Sequence, residues 1–264
     1  MYDVDPLALP FEFKGFGPKS EIGCLLLHSF TASPSEVRPL GVFLRNCGYS
    51  GIAPLLPGHG SVPEELRQTT WLDWYSNARE GLFYLIQNYT KIVVIGVALG
   101  SVLATMLAAS PERDQIGGVI LISPSQHPPS TLVKTVLPFL KYIKKSFTTI
   151  SDEEAGIIKV LDEERGQFYY SKRPTESLIE LYRVIGFTNR RLSLITQPTL
   201  IIHNENDSLS PDFILDNLIN CPYKERWTHE KRARWFFYSE EAQSAFEKID
   251  NFIETHCFKE LNTE

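Results

Sequence analysis

Apolar residues fall along this chain in short unbroken runs, separated by longer stretches where they recur every three to four positions. The unbroken runs are EIGCLLLH at 21–28, IVVI at 92–95, GGVILIS at 117–123 and TLIIH at 199–203, with a weaker one at 49–55. Runs of that length without polar alternation read as strands buried on both faces. Between them the period changes. Trp71, Trp74, Ala78, Leu82 and Leu85 share one face of a helix over about 70–89, with Thr70 as its N-cap. Ser33-Pro34-Ser35-Glu36 has the form of a capping box. It predicts a helix to about Cys47, stopped by Gly48 and either kinked at Pro39 or begun later than the box. Residues 213–218 read as a short helix, and 240–256 as a closing helix with Ala245, Phe246, Ile249 and Phe252 inward. A last strand falls within 224–238, and the residues up to 19 form an N-terminal strand or arm. Strands alternating with helices predict an α/β fold with a mostly parallel central sheet flanked by helices.

From residue 124 to 197 the pattern turns helical, with Lys, Glu and Tyr among Leu, Val, Ile and Phe. Its first part, Leu132 to Tyr142 with Phe139, is strongly apolar. We read 124–197 as a helical cap inserted over a core made of 1–123 and 198–264, the whole forming one structural domain. The ordinary reading of that part is packing and not a lipid port, though beneath a cap such residues commonly line an apolar pocket.

The uncharged stretch 92–109 is long enough to pass for a membrane span. Its first half is β-branched, its second half is Ala, Leu and Met, and Gly96 and Gly100 interrupt it. That is a central strand turned back into a buried helix, so no membrane span is expected. The formal net charge of −6 argues against general nucleic-acid binding. The four cysteines, Cys24, Cys47, Cys221 and Cys257, form no CxxC pair, and Cys24 lies in an apolar run. A reduced, cytoplasmic setting is expected. The first residues carry no basic stretch leading into an apolar one, so a signal peptide is not expected.

The spacing Gly96-Val97-Ala98-Leu99-Gly100 is that of a nucleophile elbow, in which a serine stands at the centre of a strained strand-to-helix turn. Here the centre is alanine, and a methyl group cannot attack a carbonyl. Ser101 lies three positions into the helix and reads as a small residue packed under the sheet. His59, in Pro57-Gly58-His59-Gly60, reads as a turn or rim residue. His127 sits past a strand's C-terminal edge, where α/β sites gather, and is a minor candidate for carrying a proton. The basic run Lys224, Arg226, Lys231, Arg232 and Arg234, broken by Glu225 and Glu230, reads as a solvated face.

The chain resembles the α/β-hydrolase superfamily, in its carboxylesterase and monoacylglycerol-lipase-like group. The stretches that carry the resemblance are LLLHSFTASPSEVRPLGVFLRNCGYSGIAPLLPGHG, TTWLDWYSNARE, IVVIGVALG, RPTESLIELYRV and LITQPTLIIHNENDSLSP. It implies serine hydrolysis of short- to medium-chain esters or monoacylglycerols, without metal or organic cofactor. Carried over residue by residue, the nucleophile position falls on Ala98 and the acid position on Asp207. The oxyanion donors fall on the backbone N–H groups of Leu99 and Phe30. His28 opens the oxyanion loop and orders it by hydrogen bonding. Ser29 stands where the family usually has glycine, so its Cβ bears on the shape of that loop. The histidine position falls on Ala233-Arg234 when counted back from Phe252, and near Tyr238 when 234–237 is taken as the strand. Neither is histidine; His229 comes too early and His256 lies at the far end of the last helix. An Asp207–Arg234 ion pair could occupy the vacated place.

Ester hydrolysis through serine needs an attacking oxygen, a base and oxyanion donors. The first two are missing here. The leading expectation is a degenerate hydrolase that binds a small hydrophobic, ester-like or acyl molecule. One alternative is a non-hydrolytic cyclase, lyase or isomerase using the same pocket. Another is an active carboxylesterase carrying a Ser-to-Ala change. The oligomeric state is left open.

Overall fold

A computed structural model describes residues 3–126, 136, 139, 142, 145–148, 167–205, 211–229, 237 and 239–258. Nine strands are described: β1 (Phe11–Phe13), β2 (Ile22–Leu27), β3 (Ser50–Ala53), β4 (Lys91–Val97), β5 (Ile116–Ile122), β6 (Ser146–Thr148), β7 (Lys172–Pro174), β8 (Thr199–Asn204) and β9 (Lys224–His229). Seven of them form one sheet in the order β1-β3-β2-β4-β5-β8-β9. Only β1 runs antiparallel, against β3; the other neighbours are parallel. Chain order and sheet order differ because each crossover passes through a helix, as parallel pairing requires.

The helices are α1 (Arg38–Asn46), α2 (Pro63–Leu66), α3 (Trp71–Asn88), α4 (Leu99–Ala108), α5 (Thr175–Asn189), α6 (Asp212–Asn217) and α7 (Glu240–Ile253). They make two cores, one on each face of the sheet. Leu25, Leu27, Val94, Val119 and Leu121 face the side of α3, α4 and α5. Cys24, Leu26, Val93, Ile95, Ile120 and Ile122 face the side of α1 and α7. Alternate residues of one strand thus enter opposite cores, which is why the runs are apolar without a break.

Local chemistry sets the ends of the elements. Thr70 caps α3, and the Asp73 carboxylate accepts from the Thr70 N–H at 2.8 Å. That bond from the Thr70 backbone, with one from its hydroxyl, holds the Asp73 pKa below its ordinary value. Pro54, which has no N–H to give, follows β3, a shorter strand than the expected 49–55.

Two expectations need correction. Ser33 makes no capping bond; Pro34–Val37 forms a 3-10 turn, and α1 begins at Arg38 with Pro39 in its first turn. The stretch 124–197 is not helical throughout, since β6 and β7 pair antiparallel within it. Most of that stretch, including most of 132–142, lies outside the described residues. Of its apolar residues, Phe139 is 66% and Tyr142 78% exposed. None of the four cysteines is joined in a disulfide, and Cys24 is fully buried. Among the described residues no helix is long and apolar enough to cross a membrane.

Candidate active site

Strands β2, β4 and β5 lie side by side, and the loops at their C-terminal ends meet. At the end of β4, Ala98 takes φ 47° and ψ −102°, and α4 starts at the next residue. A non-glycine residue in that region is strained by about 1–3 kcal/mol. Both flanking glycines are required by close approach. A Cβ on Gly96 would stand 2.1 Å from the Gly100 carbonyl oxygen, and one on Gly100 would stand 2.0 Å from that of Leu27. The helix is therefore pressed against β4 and β2 with no room for a methyl group.

Hydrogen bonds fix the turn. The Ala98 N–H donates to the Ile122 carbonyl at 3.0 Å. The Ser101 hydroxyl donates to the Gly96 carbonyl at 2.6 Å and lies 3.1 Å from that of Ile122. Ser101 is fully buried and committed to the backbone, as its small-residue reading expects. Gln126 donates to the Ser101 carbonyl at 3.1 Å and closes the turn from the β5 side.

The loop after β2 is held as firmly. Leu56 N–H donates to His28 Nε2 at 3.1 Å, so the ring proton sits on Nδ1, which donates to the Ser29 carbonyl at 2.9 Å. Burial, and secondarily the nearby His59, hold the His28 pKa well below its ordinary value. His28 is thus a neutral ring tying this loop to the one after β3. Glu36 grips the next residue twice: its carboxylate accepts from the Ser29 N–H at 2.7 Å and from the Ser29 hydroxyl at 2.8 Å. Glu36 is 2% exposed. The capping-box pattern assigned Glu36 to Ser33; the structure gives it to Ser29. Thr31 follows with φ 68°, and its carbonyl accepts from the Tyr170 N–H at 2.8 Å. The Tyr170 hydroxyl donates to the Gly58 carbonyl at 3.0 Å and accepts from the Ser61 N–H at 2.8 Å. One tyrosine therefore joins the loops after β2 and β3, a role that nothing in the sequence signalled.

His59 keeps its expected place in a turn, its N–H donating to the Leu56 carbonyl at 3.1 Å, but it is not a rim residue. It is 2% exposed, edge-on to His28, Phe30 and Trp74 and stacked on Tyr170. Its Nδ1 lies 3.1 Å from the Pro57 carbonyl, and Nε2 has no partner among the described residues. Burial lowers its pKa to about 4.

At the end of β5, Ser123 takes φ 44°, and its N–H donates to the Ile202 carbonyl at 2.8 Å. Further along the same sheet edge, His203, Asn204 and His229 are buried at the ends of β8 and β9, and Asn204 pairs in register with His229. Lys224 and Arg226 carry described partners: Lys224 donates to the Leu215 carbonyl at 2.7 Å, and Arg226 lies 3.0 Å from Asp212. The structure thus brings together Ala98, Leu99, Phe30, His28 and Ser29. Asp207, Arg234 and His127 lie outside the described residues, and with them the Asp207–Arg234 pair. Among the described residues, no group of three or more His, Cys, Asp or Glu is placed to hold a metal ion.

A family model described as the alpha/beta hydrolase family matches residues 24–238. The carboxylesterase of Bacillus subtilis (strain 168) is 32% identical over 230 residues, which cover 86% of this chain and 85% of that protein. The thermostable monoacylglycerol lipase of Bacillus sp. (strain H-257) is 28% identical over 214 residues, covering 80% and 78%. Among solved structures, one from the metagenome-derived lipolytic enzymes LipS and LipT superposes with a TM-score of 0.82 at 22% identity, covering 96% of this chain and 100% of that one. The monoacylglycerol lipase of Paleococcus ferrophilus superposes with a TM-score of 0.72 at 15% identity, covering 94% and 98%. At those identities the structural likeness speaks to fold alone, and it agrees with the sheet order and the elbow. The chain belongs to the alpha/beta hydrolase family, in its carboxylesterase and monoacylglycerol-lipase-like group.

Proposed function

We propose that this carboxylesterase-like protein binds a hydrophobic acyl or ester-bearing molecule and does not hydrolyse it efficiently. The observation that carries the reading is Ala98 at the head of the elbow, φ 47°. The turn has the shape that presents a nucleophile, and the residue presented has no oxygen. What the turn still offers is backbone. The first N–H groups of α4 have no partner inside the helix, and with the Phe30 N–H they suit a carbonyl or carboxylate oxygen. By sequence Asp207 falls on the acid position, and the histidine position falls on Arg234 by one count and near Tyr238 by the other, neither an imidazole. The named relatives, a carboxylesterase and a monoacylglycerol lipase, act on acyl esters, which supports the same ligand class here.

Hydrolysis of p-nitrophenyl octanoate by this chain and by Ala98→Ser tests the reading, together with thermal unfolding in the presence of fatty acyl compounds. Both proteins are expected to stay far below a working esterase, because restoring the oxygen restores no base; loss of a triad member leaves only roughly 10³–10⁴-fold over water. Acyl compounds are expected to raise the melting temperature by mass action. Vigorous turnover by Ala98→Ser would mean that the rest of the machinery is complete and that one residue alone silences an ordinary esterase.

A further inference from the structure

Among the described residues, three non-glycine residues have positive φ: Thr31, Ala98 and Ser123, at 68°, 47° and 44°. They stand in the loops after β2, β4 and β5, which are consecutive in the sheet. The register places the last two side by side. Val97 pairs with Ile122, so Ala98 and Ser123 are the next residues of two adjacent strands. The Ala98 N–H reaches the carbonyl of Ile122, the residue bonded to Ser123. On the other side, β2 pairs with β4 up to Leu27 and Gly96.

The outer two of these residues carry hydroxyls, and both are orphans. Thr31 is fully buried and Ser123 is 9% exposed. Neither Thr31 Oγ1 nor Ser123 Oγ has a hydrogen-bond partner among the described residues. Leaving such a group unpaired in a protein interior is unfavourable, and each instance calls for a cause. Here two occur on strained backbone, on either side of one alanine. Ala98 itself is partly exposed, so the space over its methyl group is open. Ser123 stands beside that space, next to the Ile122 carbonyl that the Ala98 N–H reaches, and Thr31 follows Phe30 in the facing loop. The main-chain groups nearby are donors as well: neither the Phe30 nor the Leu99 N–H meets an acceptor among the described residues. The dipole of α4, ten residues long, adds positive potential at the same point.

We propose that Thr31 and Ser123 are ligand-contacting donors that flank Ala98 and select a free carboxylate over a neutral ester. Four donors around one opening suit two oxygens sharing a negative charge. An ester has one good acceptor oxygen and cannot occupy them all. The inference rests on the acyl-binding reading above and narrows its ligand to a carboxylic acid in its ionised form.

Calorimetric titration with octanoate and with methyl octanoate at about pH 7, where octanoate is ionised, tests it. Octanoate is expected to bind roughly tenfold or more tightly than the methyl ester, since hydrogen bonds to a charged group exceed those to a neutral one. Ser123→Ala and Thr31→Val are each expected to lose most of that preference, weakening octanoate far more than methyl octanoate. Melting temperatures should hold or rise, because each change removes an unpaired buried group; a merely structural hydroxyl would lower them. Equal binding of the two probes by the unmodified chain would overturn the selectivity and leave the acyl-binding reading standing. A preference untouched by both substitutions would overturn the assignment of the residues. If neither probe binds, both readings fall together.

Discussion

His59 shows how far one side chain's surroundings can shift its chemistry. It lies in a polar-looking turn, yet the ring sits among Phe30, Trp74, Tyr170 and His28 with 2% exposure. Burial lowers its pKa to about 4, while the Pro57 and Leu56 carbonyls pull the other way. In the unfolded chain the ring titrates near 6.5. Between those values the unfolded state binds the extra proton, so stability rises with pH through this window and is lost as pH falls from 6.5 toward 4. The displacement corresponds to on the order of 3 kcal/mol, with His28 adding to it in the same direction. Urea unfolding of the unmodified chain should therefore weaken steeply between about pH 6.5 and pH 4. His59→Phe and His59→Asn should both flatten that slope, without abolishing it, because His28 remains. Identical slopes in all three proteins would show that the ring is not buried in its neutral form.

At the scale of elements, the joint between β4 and α4 is the most constrained part of the molecule. Gly100 brings the helix against the Leu27 carbonyl, where an added Cβ would stand at 2.0 Å from backbone that cannot rotate away. Gly100→Ala is thus expected to cost about 3 kcal/mol or more, the upper range for an overpacked core. Gly186→Ala, in α5 with no heavy atom within 4 Å of the added methyl, should stabilise slightly by its helix propensity. Denaturant midpoints of the two variants check the contrast, and a mild effect at Gly100 would mean that helix and strand can slide apart. The joint was also what the sequence displayed most openly. Its glycines, its β-branched strand and its small-residue helix each follow from close packing, and close packing leaves a local mark. The same holds for α3, whose apolar face follows a single period from Trp71 to Leu85. Glu36 was misread for the opposite reason. Its partner Ser29 lies seven residues away across a loop, outside any helical period. Tyr170 bonds to Thr31, Gly58 and Ser61, and β6 pairs with β7, all far apart in the chain, where no periodic signal applies. Ser123 ended a buried run and looked like an ordinary strand terminus until its φ and its unpaired hydroxyl were seen.

Across the whole molecule the two edges of the sheet divide the work. The C-terminal edge carries strain, unpaired hydroxyls and depressed histidines. The N-terminal edge carries a latch. Lys19, just before β2, reaches Asp250 at 3.3 Å and Glu254 at 3.1 Å, which ties the start of the sheet to the end of the closing helix. Tyr49, just before β3 and fully buried, donates to the same Asp250 at 2.8 Å, and Lys19 lies over its ring. Burial and then the bond to Asp250 push the Tyr49 pKa well above its ordinary value, so the phenol keeps its proton and remains a donor. Burial acts to lower the Lys19 pKa, but the two carboxylates outweigh it and raise it overall. Asp250 is the shared acceptor, and the Tyr49 bond is the sheltered half of the pair. Asp250→Ala should therefore cost about 1–3 kcal/mol, chiefly by leaving a buried phenol unpaired, since Lys19 keeps Glu254. In a double-mutant cycle with Tyr49→Phe, the coupling should reach about 1 kcal/mol and change little with salt, as a hydrogen bond does and an exposed ion pair does not. Binding of octanoate should be untouched in every member of the cycle, because the latch lies at the far end of the strands from Ala98. A coupling near zero would place the stabilisation in Lys19 instead, and a shift in octanoate affinity would show that the two edges are not independent.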